Sequence, residues 1–159
     1  MTAATVPDDR SFDPFVIVGL TGILFTIIGG VDLATQIFPL ALGSPDWEFG
    51  TYSSVMDSLP LTLMGLGFIT AFAVARSRPI LLRVMGILFI ILALLVLAGA
   101  FLYATNIPQV LRRGAGSPLM TGMKKAVTKG VIQSTLYPIT FLWLGIFALR
   151  HSSRGRSRG

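Results

Sequence analysis

Charged residues are distributed along this chain so that four long stretches carry none. Residues 14–31, 58–75, 84–111 and 130–149 contain no Asp, Glu, Lys or Arg, giving runs of 18, 18, 28 and 20 residues. A helix rises ~1.5 Å per residue, so about 20 predominantly apolar residues cross a hydrocarbon layer ~30 Å thick. Each run is long enough to cross, and none shows the strict alternation of a half-buried strand. Hydrocarbon offers no water to backbone N–H and C=O groups, so each run must satisfy them internally as a helix. The expected fold class is all-α, an integral membrane four-helix bundle in up-down-up-down order. Composition points the same way. Charged residues make up 13% of the chain, about half of the ~25% usual in soluble domains. With 53% hydrophobic residues and a mean hydropathy of +0.76, too few charges remain to coat a water-facing surface. A soluble globular enzyme, a disordered chain and a coiled coil are excluded.

The expected organisation is an N-terminal segment over 1–13, a transmembrane domain over 14–150 and a basic, disordered tail over 151–159. The spans are placed at about 14–38, 56–76, 80–104 and 130–150. Residues 33–45 are also charge-free, but 13 residues are too few to span. They extend the first helix past Asp32 until Pro39 and the Gly43-Ser44-Pro45 sequence break it. The start, MTAATVPDDRSFD, is a poor signal-peptide n-region and the apolar stretch after it is long. Although Ala41-Leu42-Gly43 is a passable cleavage site, the first stretch is read as a retained span. Connections are expected at 43–50, 76–79 and about 105–118. Directly after the last of these regions Leu119, Met123, Val127 and Val131 recur every four residues, with Lys124, Lys125 and Lys129 off that stripe. This pattern fits an interfacial amphipathic segment running into the fourth helix. A plain basic loop is the other reading, and Gly122 and Gly130 favour it.

Four spans put both termini on one side. That side holds Arg10, Arg76, Arg78, Arg83, Arg150, Arg154, Arg156 and Arg158, against Arg112, Arg113, Lys124, Lys125 and Lys129 on the other. The positive-inside bias then places the chain in the cell membrane with both termini cytoplasmic. The net charge is +6. Because the basic residues flank apolar spans, the expected counter-charge is anionic lipid headgroups rather than nucleic acid. Arg76, Arg78, Arg83, Arg150, Arg154, Arg156 and Arg158 are the expected headgroup contacts, with the RHSSRGRSRG tail gripping lipid rather than RNA. The opposite face gathers acid, with Asp46 and Glu48 in the first outer loop and Asp32 and Asp57 at helix ends. Ion pairs of Asp46 and Glu48 with Lys124 and Lys125 are expected to fold the 3-to-4 loop over the first hairpin.

The chain has no cysteine and one histidine, His151. Thiol catalysis, disulfides, iron–sulfur clusters and Cys-ligated zinc are excluded, and multi-His metal or haem sites are not expected. No phosphate loop, nucleotide fingerprint or Ser–His pairing appears within the spans. The expectation is therefore a non-enzyme without catalytic, metal or cofactor-binding residues.

Asp32 and Asp57 are the residues most open to a functional reading. An ionised Asp at a helix centre costs ~2.5–3.5 kcal/mol on insertion scales. Asp32 lies 19 residues beyond Asp13, about 28 Å along the axis, so it belongs near the outer interface. It is either a wetted contact at a helix end or an ion or docking site. Asp57, with Pro60 three residues on, reads as an N-cap. Alternatively, a helix that begins earlier embeds Asp57 and kinks at Pro60. Two carboxylates at one depth could share a proton or bind a cation. Trp47 and Tyr52 are expected as anchors flanking the outer loop, and Trp143 and Tyr137 lie in the fourth span. Small residues at four-residue spacing suggest close packing. They are Gly67, Ala71 and Ala75 on the second helix, Thr26 and Gly30 on the first, and Ala100 and Ala104 on the third. Pro138 is expected to bend the fourth helix, with Ser134 and Thr135 satisfying the freed groups.

The SPDWEFG outer loop and the LPLTLMGLGF second span resemble those of small bacterial four-span membrane proteins. The nearest named group is the family similar to the hormogonium polysaccharide biogenesis membrane protein, with the likeness covering about residues 15–100. That resemblance implies no catalytic residues, and the basic 3-to-4 region has no counterpart in it. The leading expectation is an accessory or scaffolding subunit packed against other membrane subunits or against copies of itself. The alternative is a small oligomeric transporter or ion-coupled permease using Asp32 and Asp57.

Overall fold

Three of the four helices open on a proline, whose fixed φ suits the first helical position and whose missing N–H is not needed there. The computed structural model describes residues 13–113 and 120–154. It places α1 at Pro14–Ile37, α2 at Pro45–Ala75, α3 at Pro79–Arg113 and α4 at Met120–Arg154. Asp13 caps α1, its carboxylate accepting from the Phe15 N–H at 3.0 Å. Residues 38–44 join α1 to α2, with Gly43 at φ +88, a backbone region that glycine adopts without steric cost. At the other end a tight turn joins α2 to α3. The Arg78 N–H donates to the Ala73 carbonyl at 2.9 Å and the Ser77 N–H to Val74 at 3.1 Å, with Ser77 itself at φ +49. This is the paired bonding that closes a helix C-terminus with a left-handed residue after the cap.

The helices are antiparallel neighbours in chain order. α1 packs on α2, α4 packs on α3, and α2 joins the two hairpins, mainly through α3. Two ends can thus be distinguished. The turn end carries the start of α1, the α2–α3 turn and the end of α4, and the loop end carries the other two connections. All four helices are long and apolar enough to cross a membrane.

Their lengths differ in a consequential way. α1 has 24 residues, about 36 Å, whereas helices of the length of α2, α3 and α4, with 31, 35 and 35 residues, reach about 46–52 Å and exceed the ~30 Å hydrocarbon layer. Near the end of α1 the Gln36 side-chain amide donates to the Ser58 hydroxyl at 2.5 Å. From there α2 extends back to Pro45 beyond the last turn of α1. The start of α2, the end of α3 and the start of α4 thus form a three-helix extension at the loop end.

This corrects several expected boundaries. The second helix starts at Pro45 rather than near 56, so Asp57 lies inside it and is not an N-cap. The third runs to Arg113 and the fourth begins at Met120, so the lysine-bearing region is the first part of α4, as the amphipathic reading has it, and not the plain basic loop. α4 also continues through His151–Arg154, the first residues of the expected tail. The physical reason is common to all of these. Charge marks where a helix leaves lipid, but its backbone bonds continue as long as neighbouring helices support it.

Close packing rests on glycines. A Cβ on Gly22 would lie 2.9 Å from the Gly65 carbonyl oxygen, and one on Gly65 would lie 2.5 Å from the Thr26 nitrogen. Between α3 and α4, a Cβ on either Gly86 or Gly145 would lie 3.1 Å from the other residue's carbonyl oxygen. The small-residue stripe expected on the second helix points elsewhere. Gly67 and Gly30 face open space, and Ala71, Ala75 and Ala104 are exposed. Thr26 is at the crossing as expected. α4 runs unbroken through Pro138. Contrary to expectation, the Ser134 and Thr135 hydroxyls donate to the Gly130 and Val131 carbonyls. The carbonyl four residues before the proline is that of Ser134 itself.

Gly65→Ala should force α1 and α2 apart and destabilise the protein by about 1–3 kcal/mol. Gly67→Ala, on the same helix but in open space, should be neutral or stabilising by up to ~1 kcal/mol. Equilibrium unfolding of the two variants in mixed micelles checks the contrast.

Candidate functional site at the loop end

Polar and aromatic side chains converge where the three longer helices continue past α1. Tyr103 of α3 is at the centre and is almost completely buried. The rings of Phe49 and Tyr52, one turn apart on α2, each lie 4.8 Å from its ring centroid, within the range of favourable aromatic pairing. The Tyr103 hydroxyl donates to the Ala126 carbonyl of α4 at 3.2 Å. It reaches α4 because residue 130 is glycine, where a Cβ would lie 2.6 Å from that hydroxyl. Tyr52 passes over Gly99 of α3, where a Cβ would come within 2.9 Å of the ring. The Tyr52 and Ser134 hydroxyls lie 2.7 Å apart. Because Ser134 gives its proton to the Gly130 carbonyl at 2.6 Å, Tyr52 is the donor between them.

Glu48 ties this cluster to the connection before α2. One carboxylate oxygen accepts the Gly43 N–H at 2.8 Å and the other accepts from the Asn106 amide of α3 at 2.5 Å. Asn106 is buried and its amide also donates to the Leu102 carbonyl at 3.0 Å. Carboxylates in the first turns of α2, Asp46 and Glu48, also face the positive end of the helix dipole. At the edge of the cluster Lys129 pairs with Asp57 at 2.5 Å, joining α4 to α2. Both side chains are more than half exposed, so the pair contributes at most ~1 kcal/mol.

The structure distributes the expected site residues differently from their sequence reading. Asp57 is held by Lys129, while Asp32 is exposed on α1 with no side-chain partner among the described residues. No contact joins the two carboxylates, and no group of three His, Cys, Asp or Glu side chains assembles among the described residues. The pairing expected between Glu48 and Lys124 or Lys125 is replaced by Glu48 with Gly43 and Asn106, and by Lys129 with Asp57. The α4 segment is docked on the first hairpin, but through Lys129. Asp46 is exposed on the first turn of α2. Tyr52, expected as an interfacial anchor, is a core residue. Trp143 is exposed on α4 and stacks on Phe147, which in turn contacts His151.

At the turn end, Arg76 pairs with the Asp13 carboxylate that caps α1. Arg78, Arg83 and Arg150 are exposed on the helices that meet there. Arg154 closes α4, and Arg156 and Arg158 lie outside the described residues.

The charge pattern does not single out Tyr103, Asn106 or Gly99, and the position of Ser134 near Pro138 points to the groups freed by the proline rather than to Tyr52. Gly130, which in the sequence weakens the case for a helix, is the opening that admits the Tyr103 hydroxyl. A signal was present, since Tyr103 and Asn106 are polar groups one turn apart within a long charge-free run. Such groups need a partner inside the protein, and Gly99, one turn before Tyr103, is the small residue that admits one.

Fold and site define a four-helix multi-pass membrane protein whose longer helices are tied together at one end by a polar and aromatic cluster. Searches against protein-family models, curated proteins and solved structures find no match for the chain.

Gly130→Ala should displace Tyr103 from the Ala126 carbonyl and cost about 1–3 kcal/mol. Gly122→Ala, in open space on the same helix, should not destabilise. Denaturation monitored by near-ultraviolet tyrosine dichroism separates the two.

Proposed function

We propose that the protein is a non-enzymatic accessory or scaffolding subunit of a larger membrane complex, with both termini in the cytoplasm. The observation that carries this reading is the position of α1. Its buried residues are Gly19, Gly22 and Gly29, so it meets α2 through backbone and contributes little side-chain volume to the core. Leu20, Ile23, Leu24, Ile27 and Val31 are turned outward. A helix held this closely on one side presents the rest of its circumference as a fixed apolar face. Asp32 stands on the exposed part of the same helix, and a partner helix with a cation or hydrogen-bond donor would satisfy it.

The transporter alternative needs Asp32 and Asp57 to act together. The engagement of Asp57 by Lys129 supports the subunit reading over it. The exposed Arg78, Arg83 and Arg150 at the turn end support cytoplasmic termini and contact with anionic headgroups.

Purification of the full chain from native membranes in mild detergent tests this reading. The expected result is a defined membrane partner at fixed stoichiometry, reduced by Ile27→Trp on the α1 face and retained in Gly67→Ala. A homo-oligomer that conducts ions in liposomes, and loses that flux in Asp32→Asn, would contradict it.

A further inference from the structure

One face of α4 crosses the polar boundary with a single continuous exposed stripe. Thr121, Lys125, Thr128, Ile132, Leu136 and Ile139 follow one another at three- or four-residue steps, all exposed. The upper half of this stripe is polar and basic, and the lower half is apolar and lies within the span. At the junction a groove of approximately 500 Å³ opens, with Thr121, Lys124, Lys125, Thr128, Lys129 and Ile132 among its lining residues. Lys129 is already engaged by Asp57, which leaves the ammonium groups of Lys124 and Lys125 as the cations that a ligand in the groove would meet.

We propose that this groove is a binding site for one anionic diacyl phospholipid. The headgroup phosphate sits between Lys124 and Lys125, with the Thr121 hydroxyl as a further donor; the Thr128 hydroxyl gives its proton to the Lys124 carbonyl at 3.0 Å. An acyl chain descends along Ile132, Leu136 and Ile139. Charge complementarity selects an anionic headgroup, because Lys124 and Lys125 both border the groove and Asp57, the carboxylate on Lys129, is neutralised by it. Continuity with the apolar stripe selects a lipid over a free phosphate, since a soluble anion would leave Ile132 and the residues below it uncovered. The site is separate from the arginines at the turn end and faces the opposite leaflet. It does not depend on the subunit reading, because lipid occupancy and partner co-purification are measured independently.

Native mass spectrometry of the full chain, titrated with phosphatidylglycerol or phosphatidylcholine, tests the proposal. The wild-type chain should retain phosphatidylglycerol in preference to phosphatidylcholine. K124Q/K125Q should weaken phosphatidylglycerol binding about 30-fold, as expected for two interfacial basic residues. I132W keeps every charge but fills the groove, and it should remove the preference as well. An excess of inorganic phosphate should not displace the lipid. Retention of the preference in K124Q/K125Q would overturn the proposal. Loss in K124Q/K125Q with retention in I132W would reduce it to diffuse surface attraction and equally overturn it. Displacement by inorganic phosphate would overturn it too, by showing that the anion alone is recognised.

Discussion

Hydrocarbon surrounds this bundle with a medium as apolar as its own leucines, so burying an aliphatic side chain against another helix removes nothing from water. Association must then come from close packing and from polar groups that lipid cannot satisfy. The two glycine crossings meet the first requirement. Gly22 with Gly65 joins α1 to α2, and Gly86 with Gly145 joins α3 to α4, each at a separation that leaves no ordinary room for a Cβ. The result is two tight hairpins with a looser seam between them. The many exposed Leu, Ile and Phe side chains across the bundle follow from the same cause.

The seam between the hairpins is closed where the helices leave lipid. Tyr103, reaching from α3 to the Ala126 carbonyl and stacked on Phe49, brings α2, α3 and α4 together. Glu48 then fixes the end of the first connection to α3 through Gly43 and Asn106. Buried polar networks of this kind hold one arrangement because every alternative leaves a donor or acceptor unpaired. The short α1 has no part in the extension. It stays at the side of the bundle, which is why it is the helix with most of its surface uncommitted.

Spans, helical class and antiparallel order were legible because charge-free length is a direct record of the solvent each segment meets. Helix ends were less so, since Asp46 and Glu48 sit on a helix that continues past its charge-free run, and for the stretch with Lys124 and Lys129 a plain loop stayed open beside the amphipathic helix. Helix partners were less legible still. Four-residue spacing puts Gly67, Ala71 and Ala75 on one face but does not state which way that face is turned, and the rotation of α2 turns it away from α1. The same uncertainty misplaced Tyr52 at the surface and paired Glu48 with lysines instead of Asn106. Asp57 depended on where α2 begins, and Pro60 was a misleading start signal because the helix passes through it. Lys129 rather than Lys124 or Lys125 meets α2 for the same rotational reason.

Residues that are exposed on the protein yet shielded from water offer the most direct test that lipid is the solvent here. The chain has no cysteine, so single cysteines can be placed at Leu24, Met64, Leu95 and Ile139, one exposed apolar position on each helix. In nanodiscs open to solvent on both faces, none of the four should react with a membrane-impermeant maleimide, while cysteines at Arg78 and Thr121 should react readily. Reaction at any of the four at the rate of the two reference positions would contradict the assignment of that helix to the bilayer.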